Sequence, residues 1–265
     1  MAPVTPRDAA TVMLLRPAPG GGRADPGGAG LQVYMLRRRS SMAFAAGAYV
    51  FPGGSVDASD GDDTIAWAGP DAAEWGLRLG APPELARTLV CAAVRETFEE
   101  SGVLLAGAGP GTVLTATDDE GWEDDRRQLL AGSLSLARLL RRRSLVLRSD
   151  LLRPWARWIT PVTEERRYDT RFFAAALPEG QRARDVSGEA DETAWLAPAA
   201  ALEAASRRDI ALMPPTAVTL GELRACATVP AALAARRRMT ALIPEVMLAE
   251  GAAWLTVPDG VEYPL

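Results

Sequence analysis

Histidine and lysine are both missing from this sequence. Without an imidazole there can be no Ser-His triad, no histidine base and no histidine-ligated zinc. Without lysine there is neither Schiff-base chemistry nor a P-loop lysine. Any catalysis must therefore fall to carboxylates, arginines, hydroxyls or a metal. Cysteine is nearly as scarce: Cys91 and Cys226 are the only two, too few for a disulfide framework or a four-thiolate zinc site. A reducing, cytoplasmic setting is expected. Nowhere does an apolar run approach the roughly 18 residues of a membrane span, and "MAPVTPRDAA" lacks the basic-then-apolar order of a leader. A soluble, unprocessed chain is the expectation.

What is present is enough for one domain with elaborations. A single α/β unit of 265 residues buries roughly 70–75% of its unfolded surface and needs no crosslink. The net charge of -5 argues against a generic nucleic-acid binder, although the arginine triplets at 37–39, 141–143 and 236–238 could each hold a phosphate locally.

Along the chain, "TVMLLRPA" (11–18) and "LQVYMLRR" (31–38) read as strands around a Gly/Pro-rich turn, and "AYVFPGG" ends a third. From about 55 to 83 the composition turns acidic and Gly/Pro-rich, with Trp67 and Trp75, which suggests an inserted loop or short helix covering something. "PELARTLVCAAVRETFEESG" is the clearest helix: Val90, Val94 and Phe98 share an apolar face and Gly102 is a plausible stop. "WEDDRRQLLAGSLSLARLLRRR" reads as one amphipathic helix, acidic at its start and basic at its end as the macrodipole favours. "YDTRFFAAALP" and "ETAWLAP" read as strands, and 199–250 as a largely helical C-terminal extension.

The helix ending at Gly102 carries the chemistry. Glu96, Glu99 and Glu100 are related by three- and four-residue steps, so their carboxylates converge on one helical face. Such like-charge pairs oppose helix formation by roughly 0.2–0.5 kcal/mol each, and only Arg95 is adjacent in sequence. A hard divalent cation, Mg²⁺ or Mn²⁺, would turn the repulsion into binding. The plainer alternative is a solvated acidic face.

The order of glycine loop, acidic helix and strand resembles the Nudix hydrolases. The second half of their signature, Arg-Glu-aliphatic-x-Glu-Glu-x-Gly-aliphatic, matches Arg95 through Val103 with Thr97 replacing the aliphatic residue. Gly54 is the natural starting glycine and Asp60 then falls where the first glutamate belongs, yet 34 residues rather than seven separate Asp60 from Arg95. Counting backwards from Arg95 puts Arg87 at that position instead. A split box of this kind resembles a subgroup that includes a mammalian coenzyme A diphosphatase.

The resemblance implies a Nudix-type α/β/α sandwich with a mixed sheet, an insertion within the box and a helical extension. It implies hydrolysis of a nucleoside diphosphate linked to another moiety, with Mg²⁺ or Mn²⁺ on Glu96, Glu99, Glu100 and the Gly54 carbonyl. One glutamate could also be the base, and Arg95 would orient the cluster. Glu189 is a candidate acid from outside the box. Arg39-Ser40 and Gly47 partly match a pattern associated with coenzyme A, one residue short and lacking its middle arginine. Two cysteines cannot build the zinc ribbon of an NADH-type enzyme, and Asp119 stands where an ADP-ribose-type enzyme often has proline. Arg166, Arg167 and Arg171 could contact a phosphate. Trp67 and Trp75 could stack on adenine or pack into the core, and core packing is favoured for at least one.

The expected partner is a small-molecule nucleoside-diphosphate substrate, with no nucleic acid and no membrane; a homodimer is left open. Alternatives are a general nucleoside-diphosphate-X hydrolase and a non-catalytic nucleotide sensor. The insertion is expected to shape the site, so that shortening it would alter substrate preference more than the unfolding midpoint.

Overall fold

The computed structural model describes residues 4–19, 30–39, 46–186, 190–249, 252–256 and 262–264. The chain begins with β1 (Arg7–Pro17), β2 (Leu31–Arg38), β3 (Ala48–Val50) and β4 (Gly53–Ser55), followed by a 3-10 turn at Ala58–Gly61. Then come β5 (Trp67–Ala68), α1 (Ala72–Leu79), α2 (Pro83–Ser101), β6 (Ala106–Gly107), α3 (Glu120–Leu130), α4 (Leu136–Arg142) and β7 (Val146–Arg148). The strands β8 (Arg153–Ile159), β9 (Tyr168–Ala176) and β10 (Ala190–Leu196) lead to α5 (Pro198–Ser206), β11 (Ala211–Leu212), α6 (Pro214–Arg224) and α7 (Val229–Ala234). The chain closes with β12 (Ala241–Leu242), β13 (Glu245–Ala249), β14 (Ala252–Thr256) and β15 (Glu262–Pro264).

The main sheet runs β11-β3-β2-β1-β9-β8-β12, with β10 on β2 and β4 on β1. It is mixed, because β1–β9, β3–β11 and β8–β12 are parallel and the other pairs antiparallel. Alternation along β1 divides the core as a pleated strand must. Ala10, Val12 and Leu14 pack with α1 to α4, whereas Met13 and Leu15 pack with α5, α6 and α7. The result is an α/β/α sandwich. Among the described residues no helix is long and apolar enough to cross a membrane.

Two expectations need correction. The single helix predicted over 122–143 is two, because the segment at 131–135 breaks it and Ser135 accepts the Arg138 amide to start α4. The tail is helical only as far as Ala234; from Ala241 it is strand, with Glu245–Ala249 pairing antiparallel to Ala252–Thr256. Antiparallel pairing there supplies what local propensity does not.

The insertion forms a short helix, α1, and one of its two tryptophans packs into the core, as favoured from the sequence. Trp75 and Leu79 of α1 are fully buried, and the Trp75 ring meets Phe173 of β9 edge-on at 5.9 Å. Trp67 stays half-buried, donating from Nε1 to the Pro70 carbonyl at 2.6 Å beneath the Arg87 guanidinium.

The cysteines are free, Cys91 within the α2 core and Cys226 half-buried against the opposite face. Burial pushes the Cys91 thiol up to about 12. A thiol reagent should therefore label Cys226 alone in the native protein and both residues after unfolding, which peptide mass mapping would read directly. Rapid native labelling of Cys91 would contradict that packing.

Candidate active site

The helix α2 begins with Pro83 in its first turn and ends where Gly102 takes φ 73°, a left-handed conformation that glycine adopts without strain. Its last two turns lie over β4. A Cβ on Gly54 would stand 2.4 Å from Glu96 Oε1, so only glycine lets that carboxylate rest on the strand. The Gly53 amide donates to Glu100 Oε2 at 2.7 Å. The glycine pair opens a separate strand, β4, after β3 has ended at Val50, and β4 and the acidic helix thus meet through backbone and carboxylate.

Arg95 organises the rest. Its Nε and Nη2 grip the two Asp60 oxygens at 2.8 and 2.9 Å, while Nη1 donates to Glu96 at 2.8 Å and to Glu99 at 2.9 Å. Nη2 also reaches the Ser55 carbonyl at 2.9 Å. Such bidentate geometry is available to a guanidinium and not to an ammonium. Asp60 is fully buried and also accepts the Asp57 amide at 2.8 Å in a reciprocal cap of the 3-10 turn. Of the two positions left open by the split box, Asp60 is therefore the one that meets Arg95. Arg87 instead holds the insertion, donating to the Ile65 carbonyl at 2.8 Å and to that of Asp63 at 3.2 Å.

The acidic face is not solvated. Glu99 and Glu100 are 6% and 8% exposed, and the Glu96 side chain 12%. Burial pushes Glu96 up to about 7 against the opposing pull of Arg95, with the Glu99 charge adding to the rise. Glu99 is raised by burial as well, again opposed by Arg95. Burial works to lower the Arg95 pKa, but the hydrogen-bonded Asp60 and the charges of Glu96 and Glu99 more than reverse this. One guanidinium thus serves three carboxylates, a deficit of positive charge in a low-dielectric setting. The donors are hard oxygens, the set that suits Mg²⁺ or Mn²⁺. Among the described residues no three acidic side chains are gathered around a common point as a bound ion requires; Glu96 and Glu99 turn onto Arg95 instead.

The remaining predicted site residues scatter. Arg167 donates to the Thr160 carbonyl at 3.0 Å and to that of Val4 at 2.6 Å, tying the start of β1 to the turn before β9. Arg171, 2% exposed, forms ion pairs with Asp169 at 2.6 Å and Asp8 at 3.2 Å, beside the Arg157–Asp169 pair. Both are engaged by the protein itself. Arg39 is half-exposed past the end of β2 and only loosely paired with Asp191, at 3.8 Å. Ser40 and Glu189 lie outside the described residues. The arginine triplets are likewise drawn into pairs: Arg37 with Glu192, Arg142 and Arg143 with Asp125, and Arg237 with Glu222.

A model of the NUDT19 Nudix domain matches residues 71–223, more than half of the chain. The chain belongs to the Nudix hydrolase family. Among relatives of this Nudix protein, an acyl-coenzyme A diphosphatase NUDT19 from Gallus gallus is 31% identical over 79% of the chain and 65% of its own length. The Homo sapiens protein of the same name is 29% identical over 72% of the chain and 60% of its own length. The chain thus spans under two thirds of either relative. A crystal structure of a Nudix hydrolase from Alicyclobacillus acidocaldarius superposes with a TM-score of 0.69 at 27% identity, over 88% of this chain and 98% of that one.

Proposed function

We propose that the protein hydrolyses the diphosphate linkage of coenzyme A or an acyl-coenzyme A, with Mg²⁺ or Mn²⁺ as its metal. The observation that carries this is the buried assembly of Arg95, Asp60, Glu96, Glu99 and Glu100 against the Gly53–Gly54 strand. Its supports are the family and the names of the chicken and human relatives.

Glu96, Glu99, Glu100 and the Gly54 carbonyl would hold the cation, which when bound supplies neutralisation of the diphosphate charge and a lowered pKa for water. Arg95, itself fixed by Asp60, keeps the carboxylates oriented and opposes the rise in pKa that burial imposes on Glu96 and Glu99. The closed approach of α2 to β4 keeps bulk water from the inner side of the cluster. Arg39, exposed and weakly paired, is the candidate partner for the 3′-phosphate among the arginines assigned to the substrate.

The test is a panel of coenzyme A, dephospho-coenzyme A, ADP-ribose and a nucleotide sugar, each with Mg²⁺ and with Mn²⁺, read by product mass. The expected products from coenzyme A are 3′,5′-ADP and a phosphopantetheine, with kcat/KM clearly above that for dephospho-coenzyme A. Faster cleavage of ADP-ribose or a nucleotide sugar would replace this reading with a general nucleoside-diphosphate-X hydrolase. Binding without turnover under either metal would make the protein a sensor.

A further inference from the structure

The last turn of α2 carries two of the candidate ligands, yet a helix leaves its final carbonyls without intrahelical donors. Here almost every such carbonyl has an assigned partner. The Gly102 amide serves Phe98 O at 2.9 Å, the Arg184 amide serves Ser101 O at 2.9 Å, and Thr117 Oγ1 serves Gly102 O at 2.6 Å. The Val103 amide, which would ordinarily close onto Glu99 O, turns to Ser101 Oγ at 3.2 Å. Glu99 O is taken by Arg126 Nη1 at 2.8 Å.

Arg126 is built to do this. It is 3% exposed. Its Nε lies 3.1 Å from Glu123 Oε2, and its Nη2 donates to the other oxygen of the same carboxylate. One turn of α3 therefore aims the guanidinium at α2. The helix that carries it is anchored independently, since Trp122 meets Phe98 of α2 edge-on at 6.0 Å and is itself covered by the Arg143 guanidinium at 4.2 Å. A cation at the carbonyl end of α2 also opposes the negative pole of the helix, where the carboxylates of Glu99 and Glu100 already crowd.

We infer that Arg126 is a positioning residue of the candidate site: by holding the Glu99 carbonyl it fixes where Glu99 and Glu100 present their carboxylates to a divalent cation. The inference rests on the proposal that these glutamates bind metal. Arg126 touches neither carboxylate, so it acts through the backbone of the last turn. Partners that orient a ligand in this way commonly change metal affinity by about 10–100-fold when removed.

The experiment is calorimetric titration of Mn²⁺ into the full chain, with the thermal midpoint measured beside it. Arg126→Gln should weaken Mn²⁺ binding by about tenfold or more, and Arg126→Lys, which retains a cationic donor, should recover most of that loss. Thr117→Val removes a neighbouring carbonyl partner one residue past the helix, so it should lower the midpoint and leave the Mn²⁺ dissociation constant unmoved. Should Arg126→Gln fail to fold, Glu123→Gln carries the same test by releasing the guanidinium, with a smaller weakening expected. Wild-type affinity in the variant tested, or equal weakening in Thr117→Val, overturns the positioning role. Absence of Mn²⁺ binding by the wild-type protein instead overturns the metal reading and this inference together.

Discussion

Replacing Trp75 with alanine should destabilise the protein by about 3–5 kcal/mol, the usual range for deleting a buried aromatic side chain. Urea unfolding followed by fluorescence should show a lower midpoint at an unchanged slope. The indole is fully buried, meets Phe173 at 5.9 Å, and belongs to the same core cluster as Val12, Leu14 and the apolar face of α2. Among the described residues its Nε1 has no hydrogen-bond partner, so the loss is one of packing and not of a polar contact. Leu77, two residues along α1 on its opposite face and 87% exposed, is the matched control: Leu77→Ala should change stability by less than about 0.5 kcal/mol. A Trp75→Ala protein that unfolds with the wild-type midpoint would support the expectation that shortening the insertion alters substrate preference more than the unfolding midpoint. The buried position predicts a loss of stability, because α1 completes the core over β9 and the 3-10 turn at Ala58–Gly61, in the same insertion, delivers Asp60 to Arg95.

That one tryptophan of the insertion packs into the core was legible, but not which one, because the groups that bury Trp75 are distant in sequence. The periodicity of Val90, Val94 and Phe98 and the stop at Gly102 are local, and α2 runs over the predicted residues to within one position. The spacing of Glu96, Glu99 and Glu100 fixed their shared face for the same reason. Their burial was hidden, because it depends on a glycine pair more than 40 positions upstream whose lack of side chains lets the helix descend onto β4. Asp60 and Arg87 were equal candidates by counting; only the turn that swings Asp60 under Arg95 separates them. Arg167 and Arg171 are candidate phosphate contacts by sequence, with an ion pair as the plainer alternative; Arg171 takes the ion pair with its neighbour Asp169, while the Val4 carbonyl and Asp8, from before and within β1, were not readable as partners. Arg126 carried no signal, since an arginine three residues after a glutamate on a helix is ordinarily a surface pair.

Glu100→Gln and Glu96→Gln should each reduce metal-dependent turnover by about 10²–10⁴-fold, the equivalent of ~3–5 kcal/mol of lost transition-state stabilisation. The informative feature is the sign of the accompanying stability change. Glu96 lies in a buried setting that pushes its pKa up to about 7 and disfavours its charged form, and Arg95 already serves Asp60 and Glu99 beside it. Neutralising Glu96 without changing its shape should leave the thermal midpoint of the metal-free protein unchanged or raised, because a like-charge repulsion is removed and the amide oxygen can still accept from Arg95 Nη1. Arg95→Met is the opposite case. It strands Asp60 and Glu99 as buried carboxylates without their partner and should lower stability by about 3–5 kcal/mol. Thermal melts of the metal-free proteins, paired with turnover under saturating Mg²⁺, place the three variants on two axes. Functional glutamates give loss of rate without loss of stability, and the arginine gives loss of both. If Glu96→Gln instead melted far below the wild type, the carboxylate would be a strut for the fold, and the metal-ligand assignment would fall with it.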